Sequence, residues 1–120
     1  MKSKIDYTKR NLTKEEKALM KNEVALLKVK YPLHVPIVVL AQNINLTKIK
    51  YLVGSKMNIA FLMTMIRKNT NMSQNDGFYV FVKNELVSNS MELQSLYSKH
   101  KDNSTDLLFL TLCKENTFGC

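Results

Sequence analysis

Tyr31-Pro32-Leu33-His34-Val35-Pro36-Ile37-Val38-Val39-Leu40 decides how the chain is read, because it ends a helix and begins a strand. The residue before a proline disfavours helical geometry, so Tyr31-Pro32 is a stop. Val35 to Leu40 is β-branched and reads as a strand, with Pro36 near its start, where a missing amide is tolerable. Working backward, Thr13-Lys14-Glu15-Glu16 is a capping box, in which hydroxyl and carboxylate satisfy amides that a helix start leaves unpaired. Between the two signals Met20, Val24 and Leu27 recur at i, i+4 and i+7, giving one apolar stripe that must dock on something. Before the box, Lys2 to Leu12 has no sustained periodicity and reads as a loose or short helical lead-in.

Working forward, a polar connection, Gln42 to Thr47, leads to Lys48-Ile49-Lys50-Tyr51-Leu52-Val53. Alternation there puts Ile49, Tyr51 and Val53 on one face and Lys48, Lys50 and Leu52 on the other. Ser55 is placed to cap a helix in which Ile59, Leu62, Met63 and Ile66 repeat at helical spacing to near Thr70. Met57, Met63, Met65 and Met72 read mainly as core filler, with one or two left to line a groove. Asn71 to Gly77 is turn chemistry, Phe78 to Val82 a strand, and Lys83-Asn84 a tight turn into a short extension through Val87. Ser90 is placed to cap a helix carrying Met91, Leu93, Leu96 and Tyr97, and Leu107 to Leu112 is an apolar run suited to a central strand. The order helix, β, β, helix, β, helix, β predicts an α+β domain with a mixed sheet covered by a helix, the β-grasp pattern among the candidates.

At 120 residues with 45% apolar content, the chain fits one folded domain. Its longest apolar runs fall far below the roughly 20 residues of a membrane span, and no apolar signal stretch follows the lysine-rich start, so synthesis in the cytosol is expected. Cys113 and Cys120 are too few for a disulfide framework or a zinc site, and both are expected to be reduced thiols. His34 and His100 lie far apart, and no nucleophile motif, metal cluster or nucleotide loop stands out; the reading is a non-enzyme without cofactor. The formal charge is +8, and the first thirty residues hold nine of the eighteen basic groups against four acids. That distribution attracts nucleic acid, anionic lipid or acidic peptide, or is a solvated surface, and charge alone does not choose. A small basic nucleic-acid-binding protein would want arginines and aromatics on one exposed face; this chain has Arg10 and Arg67 alone, and its aromatics fall mostly on predicted core strands.

Lys30-Tyr31-Pro32-Leu33-His34-Val35-Pro36-Ile37-Val38-Val39, Lys50-Tyr51-Leu52-Val53, Met65-Ile66-Arg67-Lys68, Phe81-Val82-Lys83-Asn84, Ser95-Leu96-Tyr97 and Thr117-Phe118-Gly119 together resemble the autophagosomal ubiquitin-like modifiers, the family of GABARAP and the microtubule-associated light chain. The match runs in order from about Glu23 to the end. The resemblance implies a ubiquitin-like β-grasp with a four-stranded mixed sheet and one or more additional helices at the amino end. Residues 1–30 would be that helical extension, 31–116 the ubiquitin-like domain and 117–120 a flexible tail. Departures mark a divergent member: Gly54 stands where proline is customary, His34 replaces an arginine, Leu62 replaces a phenylalanine, and the prolines expected after Asn84 are missing.

The resemblance further implies that a cysteine protease cuts between Gly119 and Cys120, and that activating and conjugating enzymes pass Gly119 to phosphatidylethanolamine on autophagosomal membranes. An unshielded glycine acyl carbon on a flexible tail suits passage through narrow enzyme channels. Cys120 is last rather than fourth from the end, so the prenylation box is absent. Receptors with short aromatic-x-x-aliphatic motifs would add as a strand to the sheet edge formed by the second strand. The aromatic side chain would meet Glu23, Leu27, Pro36, Val38, Lys50, Leu52 and Leu108, and the aliphatic one Tyr51, Val53, Met57, Leu62 and Met65. Lys48 and Lys50 would pair with acidic residues preceding such motifs, or would simply deter sheet-to-sheet aggregation. The implied localisation is cytoplasmic with a lipid-conjugated membrane pool, and the implied state before conjugation is a monomer. The related modifier joined to a protein lysine is the nearest alternative, and Tyr31-Pro32-Leu33-His34-Val35-Pro36 after a helix argues against it.

Overall fold

The computed structural model describes residues 11–41, 44, 46, 48–70 and 77–114. Helix α1 spans Lys14–Lys30. Its capping box forms: the Glu16 N–H donates to Thr13 Oγ1 at 3.1 Å, and the Thr13 N–H donates to Glu16 Oε1 at 3.1 Å. The helix stops at Tyr31, whose N–H closes on the Leu27 carbonyl at 2.7 Å. Strand β1 (His34–Ala41) follows, then β2 (Lys50–Gly54), α2 (Ile59–Lys68), β3 (Phe78–Val82), β4 (Glu85–Leu86), α3 (Leu93–His100) and β5 (Leu108–Lys114). Of the lead-in before α1, residues 1–10 lie outside the described residues, whereas Leu12 packs against the α1 cluster.

The sheet runs β2-β1-β5-β3-β4, with β1 and β5 parallel and every other pair antiparallel. Among the described residues it therefore has five strands, not the expected four. Lys83 (φ 49) and Asn84 (φ 68) both take left-handed backbone, the signature of a two-residue turn whose twist suits a hairpin. The short extension after it folds back, pairing Leu86 with Phe81 and Glu85 with Val82.

Strand alternation sorts the core into two layers. Val35, Ile37 and Val39 of β1, Tyr51 and Val53 of β2, and Leu108, Leu110 and Leu112 of β5 bury against α2 and α3. On the opposite face Val38 and Leu107 bury against Met20 and Val24 of α1, as the apolar stripe of that helix requires. Ile49 corrects the predicted alternation: it lies one residue before β2 and packs, partly buried, in this second layer. Pro36 is tolerated in a central strand because pairing with β5 starts one residue later, at Ile37.

Both serine caps are also corrected. Asn58, not Ser55, caps α2, its Oδ1 accepting the Phe61 N–H at 2.9 Å. Helix α3 starts at Glu92 without a side-chain cap, and Ser90 hydrogen-bonds Ser88 instead. Cys113 is buried on β5, and the thiol expected at Cys120 lies outside the described residues.

Candidate functional site

Among the described residues strand β2 pairs with β1 alone, so its other side is an open edge. The Val39 N–H donates to the Ile49 carbonyl at 2.8 Å, which makes Val39 and Ile49 a hydrogen-bonded pair. Antiparallel pairs alternate, so Tyr51 and Val53 also turn their backbone groups inward to Ile37 and Val35, while Lys50 and Leu52 turn theirs outward. The edge thus offers the N–H and C=O of two alternate residues to an added strand.

Beside that edge lies a cleft of about 280 Å³ between α1 and the sheet. Glu23, Val24 and Leu27 form its α1 wall, Pro36, Ile37 and Val38 its floor, Lys48, Lys50, Tyr51 and Leu52 its edge side, and Leu107 its end. Mostly apolar surface with a few charged groups at the rim is the makeup of a site that takes an apolar side chain and orients it. The Lys48 ammonium sits 4.9 Å from the centre of the Tyr51 ring, a cation–π contact at the edge.

Helix α1 forms its wall because it is pinned to the loop before β5. Lys21 Nζ donates to the Asn103 carbonyl at 3.1 Å and stands 4.0 Å from the Asp106 carboxylate. Lys28 Nζ donates to Tyr97 Oη at 3.0 Å, and that hydroxyl donates to the Asp106 carbonyl at 2.6 Å. The loop is internally tied as well: Thr105, fully buried, donates through Oγ1 to Asp102 Oδ2 at 2.7 Å and accepts the Leu107 N–H at 3.3 Å.

Six of the seven residues expected at an aromatic-binding pocket come together here: Glu23, Leu27, Pro36, Val38, Lys50 and Leu52, with Lys48 beside them. The seventh, Leu108, does not. It is buried in the layer under α2 and α3, and Leu107 takes its place. Left-handed backbone at Asp106 (φ 60) turns the chain into β5 so that Leu107 faces α1, and alternation then sends Leu108 to the other side. Val24 and Ile37 also line the cleft; Val24 already belonged to the buried stripe of α1, which was the available signal.

The second expected set lies across β2, toward α2. Tyr51, Val53 and Leu62 are buried in the main core, Met65 packs partly buried against it, and Met57 is 41% exposed in the turn before α2. A Cβ added at Gly54 would meet Met57 Cγ at 3.5 Å, an ordinary contact, so no steric demand keeps glycine there. The Tyr51 hydroxyl is buried without a well-formed hydrogen bond among the described residues. Burial pushes this phenol above its ordinary value, and the neighbouring Asn69 side chain opposes the shift to a smaller extent. Gly119 and Cys120 lie outside the described residues, as does Met72. Among the described residues no cluster of His, Cys, Asp or Glu assembles a metal site, and no helix is long and apolar enough to cross a membrane.

Residues 19–119 match the family model for the Autophagy protein Atg8 ubiquitin like family. Autophagy-related protein 8b of Arabidopsis thaliana is 32% identical over 101 residues, covering 81% of this chain and 82% of that protein. Microtubule-associated protein 1 light chain 3 gamma of Homo sapiens is 29% identical over 109 residues, 86% of this chain and 74% of that protein. The crystal structure of Trypanosoma brucei ATG8 superposes with a TM-score of 0.81 over 97% of this chain and all of that one, at 23% identity, which bears on the fold. A β-grasp with an added α1, an open β2 edge and a matching sequence across 19–119 leads to one conclusion: the chain belongs to the Atg8 family of autophagy ubiquitin-like modifiers.

Proposed function

We propose that this modifier is processed after Gly119, joined through that glycine to phosphatidylethanolamine on autophagosomal membranes, and read there by receptors whose aromatic-x-x-aliphatic motifs add to β2. The observation that carries the receptor part is the conjunction of outward-turned backbone at Lys50 and Leu52 with the cleft beside them. An extended peptide pairing with that edge directs alternate side chains to one face, and an aromatic ring on the α1 side enters apolar walls built by Leu27, Val38, Leu52 and Leu107. The aliphatic side chain, three residues along and so on the opposite face of the added strand, would meet the Met57 and Met65 region, where flexible thioethers adapt to varied aliphatic shapes. The partners of the tail are a processing cysteine protease and activating and conjugating enzymes. Those enzymes carry the nucleophiles, consistent with a family of modifiers rather than catalysts. The helical extension 1–30, the domain 31–116 and the tail 117–120 divide these roles between receptor reading and conjugation.

Intact-mass spectrometry of the protein from membrane and soluble fractions tests the tail. Wild type is expected to lose Cys120 and gain the mass of phosphatidylethanolamine in the membrane fraction, and Gly119→Ala to do neither. An adduct on a protein lysine instead would favour the related protein-conjugated modifier. Calorimetric titration with an aromatic-x-x-aliphatic peptide tests the cleft: Leu27→Asp sets a carboxylate in its apolar wall and is expected to weaken binding at least ~tenfold. Unchanged affinity with unchanged circular dichroism would remove the cleft from the reading.

A further inference from the structure

Helix α1 carries two apolar stripes, and the cleft and core use one. Met20 and Val24 are buried, whereas Leu19 is 55% exposed, Leu26 73% and Val29 82%. Leu19 and Leu26, seven residues apart, lie almost in line on the outward face, with the exposed small residues Ala18 and Ala25 beside them. Exposed Glu15 stands four residues before Leu19, and exposed Lys30 four residues after Leu26. The pairs Leu19/Leu26 and Glu15/Lys30 are each symmetric about the midpoint between Asn22 and Glu23.

We propose that this outward face of α1 is a self-complementary contact through which two copies of the chain pair with their α1 helices antiparallel. About a two-fold axis near Asn22, Leu19 of each copy meets Leu26 of the other, and Glu15 of each meets Lys30 of the other. The same patch is presented twice, as an isologous dimer requires. The antiparallel arrangement sets Glu15 in the acidic first turn against Lys30 in the basic last turn, and opposes the helix dipoles favourably. A parallel pair would set like charges together. One helix face roughly 25 Å long covers less than the interface of a stable dimer, so the pairing is weak in dilute solution, where a monomer is expected. Confinement of many copies to one surface raises the effective concentration enough to populate it.

Sedimentation of the full chain from micromolar to millimolar loading tests this. Wild type is expected to pass from monomer to dimer. Glu15→Lys and Lys30→Glu each turn two attractions into two repulsions, and each alone is expected to dimerise roughly tenfold more weakly. An equimolar mixture of the two restores both attractions and is expected to form the heterodimer at least as well as wild type pairs with itself. Both side chains are exposed, so circular dichroism should not change. Monomer throughout for wild type, single variants that sediment like wild type, or a mixture that does not recover would each overturn the proposal. So would a wild type that stays monomeric yet sediments with anionic vesicles in a manner lost in Leu26→Glu, since the face would then be a lipid contact.

Discussion

At the scale of single residues, Tyr51 is the position where packing and polarity conflict. Its ring is part of the main core and lines the cleft edge, while its hydroxyl is buried without a well-formed hydrogen bond among the described residues. Removing the oxygen with Tyr51→Phe is expected to leave stability unchanged or raise it by up to ~1 kcal/mol near neutral pH, because no strong bond is lost. The alkaline limb separates the two proteins further. Burial raises the folded-state pKa above the unfolded value of 10.0, so as pH rises the unfolded chain releases this proton first. The folded state then binds more protons than the unfolded one, and stability falls as pH rises through that interval. Urea midpoints measured from about pH 8 to about pH 11 should fall more steeply for wild type than for Tyr51→Phe. Parallel curves would mean that the phenol is as well solvated folded as unfolded. The same scale shows where sequence reading stops. The apolar run 107–112 was legible as a buried strand, but whether Leu107 or Leu108 faces α1 depends on left-handed backbone at Asp106, and the polar run 102–106 signals a turn without saying which of its residues takes that conformation.

At the scale of elements, α1 was legible from end to end because both of its signals are local: a capping box at Thr13 and a proline after Tyr31. Strands β1 and β3 were legible from β-branched or aromatic runs, and β5 from an apolar run. The starts of α2 and α3 were not, because they satisfy each other's backbone. Leu93 N–H donates to the Met57 carbonyl at 2.8 Å, Gln94 N–H to the Ser55 carbonyl at 3.0 Å, and Ile59 N–H to the Met91 carbonyl at 3.0 Å. The first amides of α3 are met by the carbonyls of Ser55 and Met57, so it needs no side-chain cap, while α2 takes its cap from Asn58, three residues past Ser55, so the serine signals misplace both starts. The open edge of β2 was expected from the family resemblance, while the cleft beside it needed α1 to be pinned through Lys21 and Lys28 to groups more than sixty residues away. This division of labour predicts the effect of removing the box. Thr13→Ala is expected to cost about 1 kcal/mol by urea denaturation. Amide exchange should speed up in the first turn only, since Met20, Lys21 and Val24 hold the rest of α1 in place. Peptide affinity at the cleft, whose α1 wall begins at Glu23, should therefore change little. Exchange that accelerates through Leu27 would show that α1 docks as one cooperative unit led by its cap.

At the scale of the whole molecule, the charge of +8 acts through space on whatever approaches the β2 edge, where Lys48 and Lys50 stand. Such a field speeds the encounter with acidic segments more than it strengthens the final contact, because exposed pairs are worth only a few tenths to 1 kcal/mol. Two peptides with the same aromatic-x-x-aliphatic core, one preceded by three acidic residues and one by three serines, separate steering from contact. Raising NaCl from about 0.05 M to about 0.5 M shortens the Debye length from well over 10 Å to under 5 Å. The association rate of the acidic peptide is then expected to fall several-fold while its dissociation rate changes little, and the serine peptide should respond weakly in both. Lys48→Ala should remove part of the difference between the peptides and leave the serine peptide's affinity within about twofold, since its ammonium sits over the Tyr51 ring at the rim rather than in the apolar floor. Stopped-flow fluorescence at several salt concentrations measures both rates. Equal salt slopes for the two peptides would mean that the edge lysines do not steer ligands. Their remaining physical role would then be to keep the open edge of β2 from pairing with other sheets.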